Sequence, residues 1–182
     1  MRRSSGMRPF SRFATLCALW AVAAVCAQPL NEARVKAKLA YNMARFTQWP
    51  GEAFPTPTAP LLLCLLQRSE TLAAAFTELE GLTVGGHPVK VEFHPSKELK
   101  ECHVVFMHES VSNARVTSAL ADLAGSPVLT IGDAERFADR GGMVELVIVN
   151  DAIRFDVNLK ELRSAQLALS SQVLKLARQV RG

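Results

Sequence analysis

Four histidines, four cysteines and a line of cations along one helix are the residues whose chemistry could give this 182-residue chain an activity. The histidines are His87, His94, His103 and His108. His103 and His108 are five apart, so on one strand they would point to opposite faces. No His-x-His or His-x-x-x-His pair with an acidic third ligand accompanies them, as a metal site would require. The pattern predicts loop and strand-end histidines, and no metal or cofactor is expected. No Gly-x-Ser-x-Gly elbow, phosphate loop or Gly-x-Gly-x-x-Gly fingerprint is present. Gly85-Gly86 and Gly141-Gly142 read as turns that need positive φ. No nucleophile–base arrangement can be named, so the chain reads as a binding protein and not an enzyme.

The cations are more suggestive. Arg34, Lys38, Tyr41, Arg45 and Gln48 recur at i, i+4, i+7, i+11 and i+14, one stripe beside the apolar positions Val35, Leu39, Met43 and Phe46. Two or three cations near Tyr41 and Trp49 could hold an anion or pack on a partner through cation–π contacts. The alternative is a solvated face whose long side chains cover the domain. Trp49 reads most simply as a plug at the helix end, and Asn158, Ser170 and Ser171 as helix caps.

The net charge of +4 invites a nucleic-acid reading, but its location removes it. Arg2, Arg3, Arg8 and Arg12 occupy an acid-free start, followed by an uncharged apolar run from Phe13 to Cys26. That run is short of the roughly 20 residues of a membrane span. With small residues around Val25-Cys26-Ala27 it has the form of a secretory leader, residues 1–27, cut after Ala27. Val25 before Cys26 argues against lipid attachment there. Without the leader, 17 basic residues face 17 acidic ones, which leaves no surplus to displace counterions from nucleic acid. Residues 28–182 then form the exported domain, with no second long apolar segment to span a membrane. Cys17 and Cys26 leave with the leader, and Cys64 and Cys102 remain. In an oxidising compartment such a pair forms a disulfide, two buried thiols being the alternative.

The elements that must position these residues alternate. Asn31 is placed to cap a helix running through Thr47, stopped by Trp49-Pro50-Gly51. Pro55, Pro57 and Pro60 mark a surface linker. Leu61–Leu66 is apolar without alternation, as in a parallel strand covered on both faces. Ser69 can cap a helix over Glu70–Leu79 with Leu72, Phe76 and Leu79 inward, and Gly81 ends it. Short strands at Leu82–Val84 and Val89–Phe93 flank Gly85-Gly86, and Lys97–Lys100 has the pattern of a helical turn. His103–Met107 and Val128–Ile131 read as core strands around a helix at Val111–Leu123. Asp133 can cap a short helix through Phe137. Met143–Val149 and Ala152–Val157 flank Asn150-Asp151 as a hairpin. Asn158 then caps Leu159–Ala165, and Ser170 or Ser171 a terminal helix carrying Val173, Leu174 and Ala177. The expected fold is a single layered α/β domain: a mainly parallel sheet, an antiparallel C-terminal hairpin and flanking helices.

Read in order, several stretches resemble the YfiR family. Lys36-Ala37-Lys38-Leu39-Ala40-Tyr41-Asn42-Met43-Ala44-Arg45-Phe46-Thr47-Gln48-Trp49-Pro50 is similar to the family's opening pattern, K-A-x-x-x-Y-N-F-x-K-F-x-x-W-P. Leu82–Val89 is similar to its G-x-T-V-G-G-R-P-V. The likeness continues at Cys102–Phe106, Val128–Asp133, Phe137–Val144, Arg154–Leu159 and Leu169–Ala177, which together cover nearly all of residues 28–182. The resemblance implies a periplasmic α/β protein of Gram-negative bacteria, often dimeric. Such proteins repress a membrane-bound diguanylate cyclase by docking on its periplasmic sensor domain until envelope or redox stress releases it. It implies a disulfide matching Cys64–Cys102; a second, later cysteine pair of some members is missing here, so a redox switch through that pair is not implied. Tyr41, Asn42, Arg45 and Trp49 in the first motif, and Arg154, Asn158, Ser170 and Ser171 later, become the candidate contacts for a partner or ligand. Other members accompany sensor kinases or outer-membrane receptors. The rival expectation is a periplasmic receptor for a small anion or nucleotide, serving a sensor kinase or transporter.

Overall fold

The computed structural model describes residues 27–67, 69–93 and 99–182, with side chains described from Asn31 onward. Helix α1 (Ala27–Arg45) is followed by β1 (Thr47–Gln48), β2 (Leu61–Leu65), α2 (Glu70–Thr77), β3 (Thr83–Val84) and β4 (His87–Phe93). Then come β5 (Val104–Met107), α3 (Asn113–Leu123), β6 (Leu129–Gly132), β7 (Val144–Val149) and β8 (Ala152–Asn158). Last are α4 (Leu159–Ser164), β9 (Ala168–Leu169), α5 (Ser171–Leu174) and β10 (Gln179–Arg181). Eight strands form one mixed sheet in the order β10-β8-β7-β6-β5-β2-β4-β3, and β1 pairs with β9 in a separate two-stranded ribbon. From β4 to β7 neighbouring strands are parallel, while β7–β8 and β3–β4 are antiparallel.

Continuous apolar runs make the central strands because helices cover both faces. Leu61, Leu63 and Leu65 of β2 enter one core with α1, α2 and the C-terminal segments. Cys64 and Leu66 enter the other, beneath Val116, Ala119, Leu120 and Leu123 of α3. The expected disulfide forms there between Cys64 and Cys102, with Cα atoms 6.1 Å apart. Ser69 Oγ accepts from Leu72 N as the expected cap of α2, and Leu72, Phe76 and Leu79 are buried. Asn150 and Asp151 both take positive φ, which a two-residue hairpin turn between twisted strands needs.

Several expectations are corrected. Asn31 lies inside α1, not at its cap, and the helix ends at Arg45, two residues before Thr47. There the Thr47 hydroxyl donates to Met43 O and the chain turns into β1. The buried face of α1 is not the Val35–Leu39–Met43–Phe46 line, since Val35 and Phe46 are exposed. It is Ala33, Lys36, Ala37, Ala40, Met43 and Ala44, whose four alanines let the helix lie close to its neighbours. Asp133 caps no helix. Arg136 takes φ 58°, incompatible with continuing an α-helix, and a 3-10 turn forms later at Ala138–Arg140. The Glu145 carboxylate accepts from Arg136 N and Ala138 N and holds this turn. Phe137 sits between Gly132 and Gly142; a Cβ on Gly142 would lie 2.2 Å from its ring, so close approach explains that glycine, while Gly141 has the positive φ. The terminal helix stops at Leu174, and the chain adds β10 alongside β8. Arg178 and Arg181 pair there with Asp156, which is fully buried. Leu99–Glu101 forms a 3-10 turn; the rest of the Lys97–Lys100 expectation, His94, and the leader up to Cys26 lie outside the described residues.

Candidate functional site

Helix α1 delivers Arg45 in its last turn, and the turn at Phe46 with strand β1 carries the chain to Trp49. Pro50 cannot extend either element, and the Pro-rich strap of residues 50–60 crosses the amino-terminal edge of the sheet before entering β2. Between this strap and the β3–β4 turn lies an open cleft of about 430 Å³. Arg45, Thr47, Trp49, Phe54, Pro55, Val84, Gly85 and His87 are among the residues that line it.

Two imidazoles hold the strap in place. Phe54 is stacked between His87 and His103, with ring centroids 3.8 and 4.2 Å away. His87 Nδ1 donates to Ala59 O at 2.7 Å. His103 Nδ1 accepts from Leu62 N at 3.1 Å, so the proton is on Nε2, which donates to Ala53 O at 3.0 Å. Burial lowers the His103 pKa below the ordinary histidine value, and the nearby His87 adds to this against the opposing bond to Ala53. Trp49 packs edge-on to Phe54 at 6.1 Å.

Two polar side chains of the cleft, Trp49 and Arg45, have no hydrogen-bond acceptor among the described residues, whereas Thr47 and His87 donate to Met43 O and Ala59 O. Trp49 Nε1 is buried with no hydrogen-bond partner. The Arg45 guanidinium lies 5.7 Å from the Tyr41 ring centroid and 5.9 Å from that of Phe46, and meets no carboxylate among the described residues. No acidic side chain lines the cleft.

The other candidate residues distribute differently. Tyr41 and Asn42 border a neighbouring hollow with Arg34, Lys38, Glu78 and Leu82. Tyr41 donates to Thr83 O, and Arg34 pairs with Glu78, so two of the five stripe residues are engaged in tying α1 to α2 and β3. Ser170 caps α5, and its amide donates to Phe46 O, which brings it beside the first motif through the β1–β9 ribbon. Ser171 is exposed on the first turn of α5. Asn158 caps α4 through Glu161 N and donates to Ala138 O, and Arg154 is exposed on β8; both lie towards the opposite end of the sheet from the cleft. The two candidate groups therefore meet only at Ser170.

Sequence reasoning missed Phe54, His87 and His103 as parts of the site. The one signal was Phe54 itself, a lone aromatic in a proline-rich linker. It also missed Lys36, which is 4% exposed and lies at 2.5 Å from Glu32 and 2.7 Å from Asp133. Burial opposes its charge, but the two carboxylates prevail and hold its pKa above the ordinary lysine value. Lys36 meets the Asp133 charge as a short, buried ion pair. This cluster, with His108 3.7 Å from Asp133, lies at the carboxyl-end side of the sheet, where doubly wound folds usually bind ligands, and borders a hollow of about 330 Å³ there. Among the described residues no group of three His, Cys, Asp or Glu side chains is placed to hold a metal ion, and no helix is long and apolar enough to cross a membrane.

A family model described as YfiR/HmsC-like matches residues 33–178. Comparison with curated proteins found no match. Among solved structures, the chain is similar to a conserved domain protein from Vibrio cholerae O1 biovar El Tor, 12% identical with a TM-score of 0.49, over 80% of this chain and 60% of that one. It is also similar to the ABC domain in complex with L-Trp from Streptococcus pneumonia, 13% identical with a TM-score of 0.49, over 81% of this chain and 61% of that one. The chain thus spans about 60% of the length of either structure.

Proposed function

This chain belongs to the YfiR/HmsC-like family, and from that premise we propose that it is a periplasmic regulatory binding protein that represses an inner-membrane diguanylate cyclase by docking on its periplasmic sensor domain. The observation that carries this reading is the family match across residues 33–178, which takes in both core layers and the whole of the cleft. The leader-like segment at residues 1–27 and the Cys64–Cys102 bond accord with an exported protein. The cleft presents a cation and aromatic walls, groups suited to recognition at a protein surface.

A regulator of this kind acts by binding one state of its partner more tightly than the other. A hundredfold preference, just under 3 kcal/mol, is enough to move a modest equilibrium. Deletion of the protein should raise cellular cyclic di-GMP, and plasmid-borne wild type should bring it back down. Unchanged cyclic di-GMP in a deletion strain that carries an intact membrane cyclase would refute the reading.

A further inference from the structure

We infer that the cleft between Arg45, Trp49, Phe54 and His87 is the socket in which the partner protein docks, and that it receives an extended segment presenting a carboxylate beside an apolar side chain. This rests on the regulatory reading above and names the chemistry of the contact. Trp49 Nε1 is buried and unpaired, and buried donors are nearly always satisfied. A main-chain carbonyl of an incoming segment is an acceptor that can pair with it when the indole turns towards the cleft. Arg45 is held in place over Tyr41 and Phe46 with no carboxylate opposite it among the described residues. The lining carries no acid that would repel an incoming one. Phe54 and the strap prolines offer an apolar wall for the neighbouring side chain.

The shape selects a protein segment over a free small molecule. Small-ligand pockets bury most of their ligand's surface. Here Gly51, Pro55, Thr56, Pro57 and Gly85 are all exposed, so the cleft is a shallow trough with room for a couple of side chains. It lies at the amino-terminal edge of the strands, away from the carboxyl-end crevice where this class of fold encloses small ligands. Phe46, an exposed ring beside Arg45, extends the apolar surface beyond the trough. Arginine, tryptophan and neighbouring aromatics are the residue types that dominate binding energy at protein interfaces.

The test has two arms. In a deletion strain, Arg45→Glu and Trp49→Phe should fail to lower cyclic di-GMP, at unchanged periplasmic level and thermal midpoint, and Arg45→Lys should retain part of the repression. Wild-type repression by both Arg45→Glu and Trp49→Phe would overturn the socket while leaving the regulatory reading intact. In the second arm a photo-crosslinking amino acid replaces Thr56 on the exposed rim, and the crosslinked peptide from intact cells is mapped by mass spectrometry. A membrane-protein segment with Asp or Glu within a few residues of the crosslink supports the socket. If it comes from a protein other than a cyclase, the socket stands and the cyclase reading falls. A segment without acid, or no crosslink at Thr56, overturns the inference. So does a saturable rise in thermal midpoint with acetate, phosphate or benzoate that Arg45→Glu abolishes, because the cleft would then be a small-anion site.

Discussion

His103 joins two distant parts of the main chain with one ring. Its Nδ1 takes the Leu62 amide, 41 residues back, and its Nε2–H reaches Ala53 O, 50 residues back. A protonated ring would set two N–H donors against each other at Leu62. Burial, foremost, and His87 hold its pKa below 6.5, although the bond to Ala53 works the other way. The sign follows. Above about pH 6.5 the ring is neutral in both states and contributes no slope; below it the unfolded chain takes up a proton that the folded chain resists, so stability declines with acid. Thermal midpoints measured from about pH 7 down to pH 5 should fall for the wild type, and His103→Gln should flatten that slope. An equally steep slope in the variant would mean that another group is responsible. The sequence marked His103 only as a strand-end histidine. Its partners are invisible at that level because both contacts come from a linker and a strand start that only folding brings together. Lys36 teaches the same lesson: its i, i+4 partner Glu32 could be read off the helix, whereas Asp133 could not.

Among the elements, β2 and β5 already pair through Leu63–Val104, Cys64–Val105 and Leu65–Phe106. The Cys64–Cys102 bond adds a covalent tie at one end of this pairing and closes a loop containing α2, β3 and β4. A loop of 38 residues corresponds to roughly 4 kcal/mol of lost unfolded-state entropy. The double variant Cys64→Ala, Cys102→Ala should therefore unfold at lower urea, by about 2–5 kcal/mol in free energy, the cost of losing a native disulfide in small exported domains. A change below 1 kcal/mol would show that the pairing alone suffices. Long and strongly patterned elements were legible: β2, α2, α3 and the β7–β8 hairpin all appear within a residue or two of their expected bounds. The short ones were not. Strands β1, β9 and β10 have two or three residues each, too few to display a period, and exist because a neighbour supplies their hydrogen bonds. In α1 the large apolar residues suggested the wrong face, because close packing selected the alanines.

For the molecule as a whole, removal of residues 1–27 as a leader would turn a basic chain into a formally neutral one. Cleavage after Ala27 would leave Gln28 as the first residue and nearly all of α1 in the mature protein. Intact mass of the protein from a periplasmic extract should correspond to residues 28–182. A species that still carries Met1 would contradict export by a cleaved leader. The arrangement of the domain also separates two regions with different duties. The hollows at the carboxyl-end side are lined by the Lys36–Asp133 pair and further carboxylates, Glu109, Glu135 and Glu145, whereas the amino-terminal edge holds a cleft of aromatic, proline and cationic lining without an acid. Contact with a partner is therefore expected at the edge where the strap lies.

The sequence alone determined the class of fold and the family, and made a Cys64–Cys102 bond the expectation. These depend on local periodicity, cap and turn chemistry, and the ordered succession of short motifs, all carried along the chain. Only the tertiary structure decided which residues make the cleft. Arg45 and Trp49 come from the first motif, Phe54 from a linker and His87 from the start of β4, and what unites them is the stacking of Phe54 between two histidines. Such contacts are fixed by how the layers pack, and the spacing of residues in one element cannot encode them.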